Sequence, residues 1–296
     1  MGITVKPGFI PAIGTPLDEE GYLVEDSIRA ETERMIEAGC SAILCMGSMG
    51  QQAFIRMAET RKTAAAVVDQ AAGRVPVFVG AMDCSIQRAR ERFELMEDIP
   101  LSAFVLTTPY YEACTGEEIL NYYKRVAAYT SHNIVLYDLP SVTQSKITYD
   151  IVVELVKTVP NLAGIKSNDM YMLRKLKVCG EVPDDFLCCF SGMDVFDIGF
   201  KWGLTNYLDG MPSCTPYNFS MLDRSMKAGD YAAAAKYLTN ILDLRDFFLA
   251  NNLWPCFTAA MNMLGFAGNF APDYCTGITE ETVEAVRREM KRIGEL

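Results

Sequence analysis

The chain has 296 residues, half of them apolar, which is enough for a sizeable buried core and within the range that a single α/β barrel uses. A formal net charge of −11, from 38 acidic and 27 basic side chains, would repel a phosphate backbone and argues against nucleic acid as a partner. Mean hydropathy is near zero and no apolar run approaches the ~18 residues of a spanning helix, so no membrane partner is expected either.

The opening stretch, Met1-Gly2-Ile3-Thr4-Val5-Lys6-Pro7, lacks the long apolar core of a signal peptide. Lys6 stands where a myristoylation signal carries Ser or Thr, so a cytoplasmic protein is expected. Short apolar runs then recur with helix-like segments between them. The strand candidates are Phe9–Ile13, Ala42–Met46, Val77–Ala81, Ala103–Thr107, Ile134–Leu139, Leu162–Lys166, Phe186–Ser191 and Thr205–Met211. Near-continuous apolar strands alternating with helices predict a parallel sheet covered on both faces. Eight such units predict a closed (β/α)₈ barrel.

Local signals place the helices. Ile28, Met35 and Ile36 follow the 3.6-residue period, and Gly39 and Gly73 sit where helix-closing glycines belong. Thr115 with Glu118 has capping-box spacing, and Thr148 precedes the helix of Ile151, Val152 and Leu155. Beyond about Phe219 the strands stop, and Tyr231–Leu249, Leu253–Leu264 and Glu280–Ile293 read as three more helices. The expected organisation is a catalytic barrel over 1–222 with a C-terminal helical appendage over 223–296.

None of the ten cysteines forms a C-x-x-C pair, so they are expected to be reduced structural thiols rather than metal ligands. The single histidine, His132, precedes a strand, on the far side from the end where barrel chemistry sits, and is read as structural. No metal site is expected.

Function in a parallel barrel sits at the C-terminal ends of the strands. Those ends carry Thr15-Pro16, Gly47-Ser48-Met49-Gly50-Gln51, Asp83, Thr108-Pro109-Tyr110-Tyr111, Tyr137-Asp138, Lys166-Ser167, Gly192-Met193-Asp194 and Asp209. Hydroxyls, one lysine and acids without a histidine cluster suit imine chemistry. Lys166 closes the apolar run Leu162–Ile165, where burial disfavours an ammonium and favours the amine that attacks a carbonyl. Taken locally, Lys166 reads more readily as a surface lysine snorkelling from a strand end. Tyr137, one strand earlier, can carry protons if it faces the pocket, or can be a core aromatic. The Gly47–Gln51 loop can offer backbone N–H groups to an anion, but it matches no nucleotide-binding fingerprint.

Together these pieces resemble the dihydrodipicolinate synthase/N-acetylneuraminate lyase family of class I aldolases and dehydratases. The similarity runs through "EAGCSAILCMGSMGQ", "TPYYEACTGEEILNYYKRVA", "VLYDLPSVT", "LAGIKSND", "SGMD" and "GLTNYLDGMPSCTP". It implies Lys166 as the imine-forming nucleophile and Tyr137 as the proton-transfer phenol. Ser48 and Tyr111 would complete a hydroxyl relay, with Tyr111 reaching a neighbouring subunit's site. Gly47, Gly50 and the Ser48 and Met49 N–H groups would hold the carboxylate of a 2-keto acid such as pyruvate, with Gly192, Asp194 and Asp209 around the remainder. A homo-oligomer built as a dimer of dimers is implied, and no cofactor.

Departures bear on substrate. Met49 and Gln51 replace a hydroxyl and a glutamate of the family loop. Val142 stands where dihydrodipicolinate synthases carry an arginine for a distal carboxylate, and Val195 replaces the second acid of the sialic acid lyase motif. Asp138 and Asp209 are unusual additions that would favour a hydroxylated or cationic partner if they faced the pocket. The expected activity is a lyase cleaving a 2-keto-3-deoxy or 4-hydroxy-2-keto acid to pyruvate and an aldehyde, or the related dehydratase. The rivals are a true dihydrodipicolinate synthase and a non-catalytic keto-acid-binding barrel.

Overall fold

The computed structural model describes residues 3–296, so Met1 and Gly2 of the opening stretch lie outside the described residues. Eight strands form one parallel sheet: β1 (Gly8–Pro11), β2 (Ile43–Cys45), β3 (Val77–Gly80), β4 (Ala103–Thr107), β5 (Asn133–Tyr137), β6 (Leu162–Ser167), β7 (Leu187–Phe190) and β8 (Asn206–Asp209). β1 pairs with β8, and a parallel bridge from Ala12 to Leu44 joins β1 to β2, curling the sheet into a nearly closed barrel.

Each expected strand is present, most with trimmed ends. β5 stops at Tyr137 because Pro140 opens a short helix, Pro140–Thr143. β8 stops at Asp209, whose carboxylate accepts the Met211 N–H at 3.0 Å and turns the chain into a 3₁₀ segment.

The strands alternate their side chains between two apolar layers. Ile10, Leu44, Phe78, Val105, Val135 and Leu208 fill the barrel interior. Phe9, Ile43, Val79, Leu106, Leu136 and Tyr207 pack outward beneath the helices. The alternation is broken once, between β5 and β6. Ile134 pairs with Leu162 but Val135 pairs with Gly164, so Ala163 is skipped. Ala163 packs in the interior layer, and the extra residue lets Lys166, three positions on, face the interior as well. Gly164 permits the close approach on the other side: a Cβ there would lie 2.5 Å from the Leu187 carbonyl oxygen.

The caps follow the chemistry of their residues. Thr115 and Glu118 form the reciprocal capping box, and Thr148 accepts the Ile151 N–H at 3.5 Å. His132 is structural, its Nε2 lying 2.9 Å from the Glu97 carbonyl. All ten cysteines are free thiols. The three C-terminal helices are Tyr231–Ala250, Leu253–Met263 and Glu280–Arg292. The helix Pro216–Ala228 runs without a break across position 222. Glu295 returns to it, accepting the Tyr217 and Asn218 N–H groups at 3.1 and 2.9 Å, which are orphan donors of its first turn. No helix among the described residues is long and apolar enough to cross a membrane.

Two buried acids are tied into this frame. Asp138, 2% exposed just beyond β5, accepts Ser167 Oγ at 2.7 Å and Ile147 N–H at 3.0 Å and pairs with Lys146. It cross-links the ends of β5 and β6. Asp138→Ala would leave the Ser167 and Ile147 donors without this acceptor and Lys146 with Asp169 alone, and a loss on the order of 3 kcal/mol is expected in chemical denaturation. A loss below about 1 kcal/mol would contradict that role.

Glu31, in the helix Glu25–Glu37, is fully buried and accepts the Gly14 N–H at 3.0 Å. Burial pushes its carboxyl up to about 7 from an ordinary 4.5. The folded state therefore holds this proton more tightly than the unfolded chain. The stabilisation is complete below pH 4.5 and is lost as pH rises through about 7. Glu31→Gln keeps an acceptor for Gly14 without a titrating proton. Its stability should fall less than the parent's between pH 5 and 8, the gap widening by roughly 3 kcal/mol. Parallel pH profiles for the two proteins would refute the assignment.

Candidate active site

Register fixes the first contact. Tyr137, the last residue of β5, is the partner of Lys166 on β6. Lys166 Nζ lies 3.9 Å from the centre of the Tyr137 ring, and each residue is 5% exposed. From the loop after β2, Ser48 Oγ reaches the Tyr137 hydroxyl at 3.3 Å. Amine, phenol and hydroxyl thus converge from three strand ends.

They border a cavity of about 230 Å³ at the C-terminal mouth of the barrel. Met49 and Asp209 line it as well, and so do Asn168, Ser191 and Gly210. Lys166 is the only Lys, Arg or His in this lining. Burial raises the Asp209 carboxyl above the ordinary carboxylate range, while its backbone hydrogen bonds and the nearby Lys166 charge pull it down. Asp138 touches the cavity, but its oxygens are engaged by Lys146, Ser167 and Ile147. No group of three or more His, Cys, Asp or Glu among the described residues is arranged to hold a metal ion.

The loop after β2 is held in an unusual shape. Met46 and Gln51 adopt left-handed φ of 51° and 55°. A Cβ on Gly80 would sit 1.7 Å from the Met46 carbonyl oxygen, and one on Gly50 would sit 2.6 Å from the Met46 nitrogen. Both positions need glycine for this approach. Thr15 Oγ1 donates to the Gly50 carbonyl at 2.6 Å and ties the loop to the end of β1. Among the described residues the Ser48 and Met49 N–H groups donate to no protein acceptor. The Met49 side chain lies across the barrel mouth against Gly210, where an added Cβ would come within 1.9 Å of Met49 Cγ.

Other expected site residues lie elsewhere. Gly47 lines an adjoining cavity that shares Ser48 and Leu139 with the first. Gly50 shapes the loop without lining either cavity. Gly192 makes room for the Phe190 ring, since its Cβ would fall 2.5 Å from Phe190 Cζ. Asp194 pairs with Arg245 at 2.7 Å on the surface. Tyr111 is 80% exposed and does not enter its own chain's cavity. Asn168, Ser191 and Gly210 were missed, although each sits within two residues of a strand end. Trp254 and Tyr274 of the C-terminal segment, which line the adjoining cavity, had no local signal at all.

Comparison with known proteins bears on the family and the fold. A relative from Stutzerimonas stutzeri named 4-hydroxy-tetrahydrodipicolinate synthase is 30% identical, covering 98% of this chain and 99% of its own. One of the same name from Methanopyrus kandleri is 28% identical over 99% of this chain and 98% of its own. The crystal structure of dihydrodipicolinate synthase from Thermotoga maritima superposes with a TM-score of 0.88 at 22% identity, covering 99% of this chain and all of that one. A prophage protein of the dihydrodipicolinic acid synthase family from E. coli K12, solved in complex with pyruvate, gives 0.88 at 19% identity over 99% and 100% of the two chains. At these identities the superpositions speak for the fold. The sequence matches the Dihydrodipicolinate synthetase family over residues 6–293, and the chain belongs to that family.

Proposed function

We propose that the chain is a Schiff-base-forming lyase that joins or releases pyruvate and an uncharged aldehyde. The observation that carries this reading is Lys166 Nζ over the Tyr137 ring, with Ser48 on the phenol, in a cavity lined by no other cation.

In the cleavage direction, the Lys166 amine attacks C2 of a 4-hydroxy-2-keto acid and loses water to give a protonated imine. The Ser48 and Met49 N–H groups hold the carboxylate. Tyr137, relayed by Ser48, takes the C4 hydroxyl proton as the C3–C4 bond breaks. That bond's electron pair passes into the imine and leaves an enamine, and the aldehyde departs. Protonation at C3 and hydrolysis then release pyruvate and restore the amine. In the related dehydratase, loss of a C3 proton gives the same kind of enamine, which expels the C4 hydroxyl. The imine is itself the electron sink, so neither route calls for a metal or an organic cofactor. We also place the chain in a homo-oligomer, a dimer of dimers as the family resemblance implies. The 80% exposure of Tyr111 beside the barrel mouth fits a side chain destined for a neighbouring subunit.

The relatives' name favours a second reading, 4-hydroxy-tetrahydrodipicolinate synthase, which condenses pyruvate with aspartate semialdehyde. Against it, neither cavity offers a cation besides Lys166 for a distal carboxylate, and Val142 stands at the adjoining one. A catalytically idle binder would have no use for amine, phenol and hydroxyl in contact.

Pyruvate with borohydride should add one reduced adduct, mapped to Lys166. Lys166→Ala should abolish turnover, while Tyr137→Phe should still trap pyruvate but turn over at least tenfold more slowly (~10²–10⁴ for a general acid–base group). An unlabelled enzyme that turns over, or label on another lysine, would falsify the imine assignment. Aspartate semialdehyde should be a poor partner, because the missing bidentate cation is worth about 1.5–3 kcal/mol, roughly one to two decades in kcat/KM. Val142→Arg should recover part of that. Aspartate semialdehyde outperforming uncharged aldehydes tenfold in the unmodified protein would move the assignment to the synthase.

A further inference from the structure

Glu31 stands beneath two walls of the barrel mouth at once. From the helix Glu25–Glu37 its carboxylate oxygen Oε1 accepts the Gly14 N–H at 3.0 Å, and the Ser213 hydroxyl lies close enough to favour its ionised form. Gly14 precedes Thr15, whose hydroxyl donates to the Gly50 carbonyl at 2.6 Å and ties down the loop that carries Ser48 and Met49. Ser213 ends the 3₁₀ turn Met211–Ser213, entered directly from Asp209 and Gly210, which line the Lys166 cavity. Glu31, Thr15 and Ser213 are all buried.

What faces the carboxyl is uncharged or acidic. Its second oxygen, Oε2, is buried without a hydrogen-bond partner, and among the described residues no Lys, Arg or His is paired with it. From the β8 side comes Cys214, whose thiol is held well above its ordinary range by burial, by Glu295 and Asp209, and by Glu31 itself. Glu295, from the end of the chain, is engaged on the Tyr217 and Asn218 N–H groups. On the helix Met57–Ala71, packed alongside, Glu59 accepts the Leu23 N–H and pairs with Lys62, while Asp69 pairs with Arg29. Arg34, on the same helix as Glu31, acts on Glu295 instead. A neutral acid with one idle oxygen costs little in such a place, whereas a carboxylate without a counter-ion costs a great deal. An ionised Glu31 is driven toward water, and its displacement disturbs Gly14 and Ser213 first.

We propose that Glu31 is a pH-responsive positioning residue: protonated, it holds the β1 and β8 edges of the mouth in the geometry that serves Lys166, and its ionisation releases both edges and slows the enzyme. This rests on the imine reading for its activity readout alone. The effect opposes the titration of the lysine, because rising pH supplies free amine while it removes the proton that keeps the mouth assembled. Burial lifts the Glu31 carboxyl to about 7, which places the release near neutrality, and above that the protonated fraction falls about tenfold per pH unit.

The test follows trapping of pyruvate on Lys166 by cyanoborohydride in the parent and in Glu31→Gln between about pH 5.5 and 8.5. The ratio of the two rates, parent over variant, cancels the titration of the lysine and the chemistry of the reductant. It should hold steady to about pH 6 and fall roughly tenfold by about pH 8. Ser213→Ala removes a hydroxyl that favours the ionised form, so in that variant the fall should move to higher pH, a result that does not depend on Glu31→Gln folding. Hydrogen exchange supplies a readout apart from catalysis. Corrected for intrinsic rates, peptides spanning 12–16 and 209–215 should lose protection over the same interval in the parent and keep it in Glu31→Gln, with β4 unmoved in both. A flat rate ratio, or an equal loss of protection in the two proteins, overturns the inference. If no adduct forms on Lys166 at any pH, the imine reading fails and exchange alone decides: opening confined to the parent upholds the inference, and opening in both or in neither overturns it.

Discussion

Between Leu162 and Gly164 the sixth strand carries one residue more than its pairing with β5 requires, and the rest of the site depends on where that residue goes. Strand side chains alternate faces, so residues three apart in a regular strand point opposite ways. With Ala163 skipped, Lys166 comes into register with Tyr137, and both face the barrel mouth. In an unbroken register, an inward Ala163 would send Lys166 among the outer helices. Gly164 lets β7 come close at the same point, and Asp138 holds the two strand ends together through Ser167. Lys166 is therefore positioned by backbone pairing more than by any contact of its own side chain.

Electrostatics around the lysine follow from what is neutralised elsewhere. Asp138 spends its charge on Lys146, and Asp194 on Arg245, so neither competes for the amine. Asp209 stays in the cavity, but burial favours its protonated form. The loop after β2 contributes N–H dipoles rather than a cation. Unpaired N–H groups and one lysine thus sit at the barrel mouth of a protein whose net charge is −11.

Much of this was legible beforehand because it rests on patterns that local chemistry enforces. Short apolar runs of five to seven residues mark the strands, and β4 falls on its expected bounds, Ala103–Thr107. Thr115 with Glu118 announces its cap. Lys166 by itself read more readily as a snorkelling surface lysine, and the family resemblance made the difference. The register break at Ala163 leaves no trace, since a uniformly apolar strand carries no period to interrupt. Asp138 was ambiguous for a similar reason, as its partners Lys146 and Ser167 come from two different loops and strands. The lining of the adjoining cavity draws on Phe54, Val142, Trp254 and Tyr274, more than two hundred positions apart at the extremes, a proximity only the closed barrel creates.

Glu295 closes a circuit of a different kind. It satisfies N–H groups at the start of the helix Pro216–Ala228, which follows directly on the β8 turn that carries Asp209 and Gly210. The two partners are separated by 77 positions along the chain. As the polypeptide leaves a ribosome, all eight strands are available well before that carboxylate is. The first turn of this helix keeps open donors until the appendage has arrived and packed. The first turn of this helix thus depends on a segment made well after the eight strands, and a nascent barrel passes through an interval of complete strand content with an unfinished eighth unit.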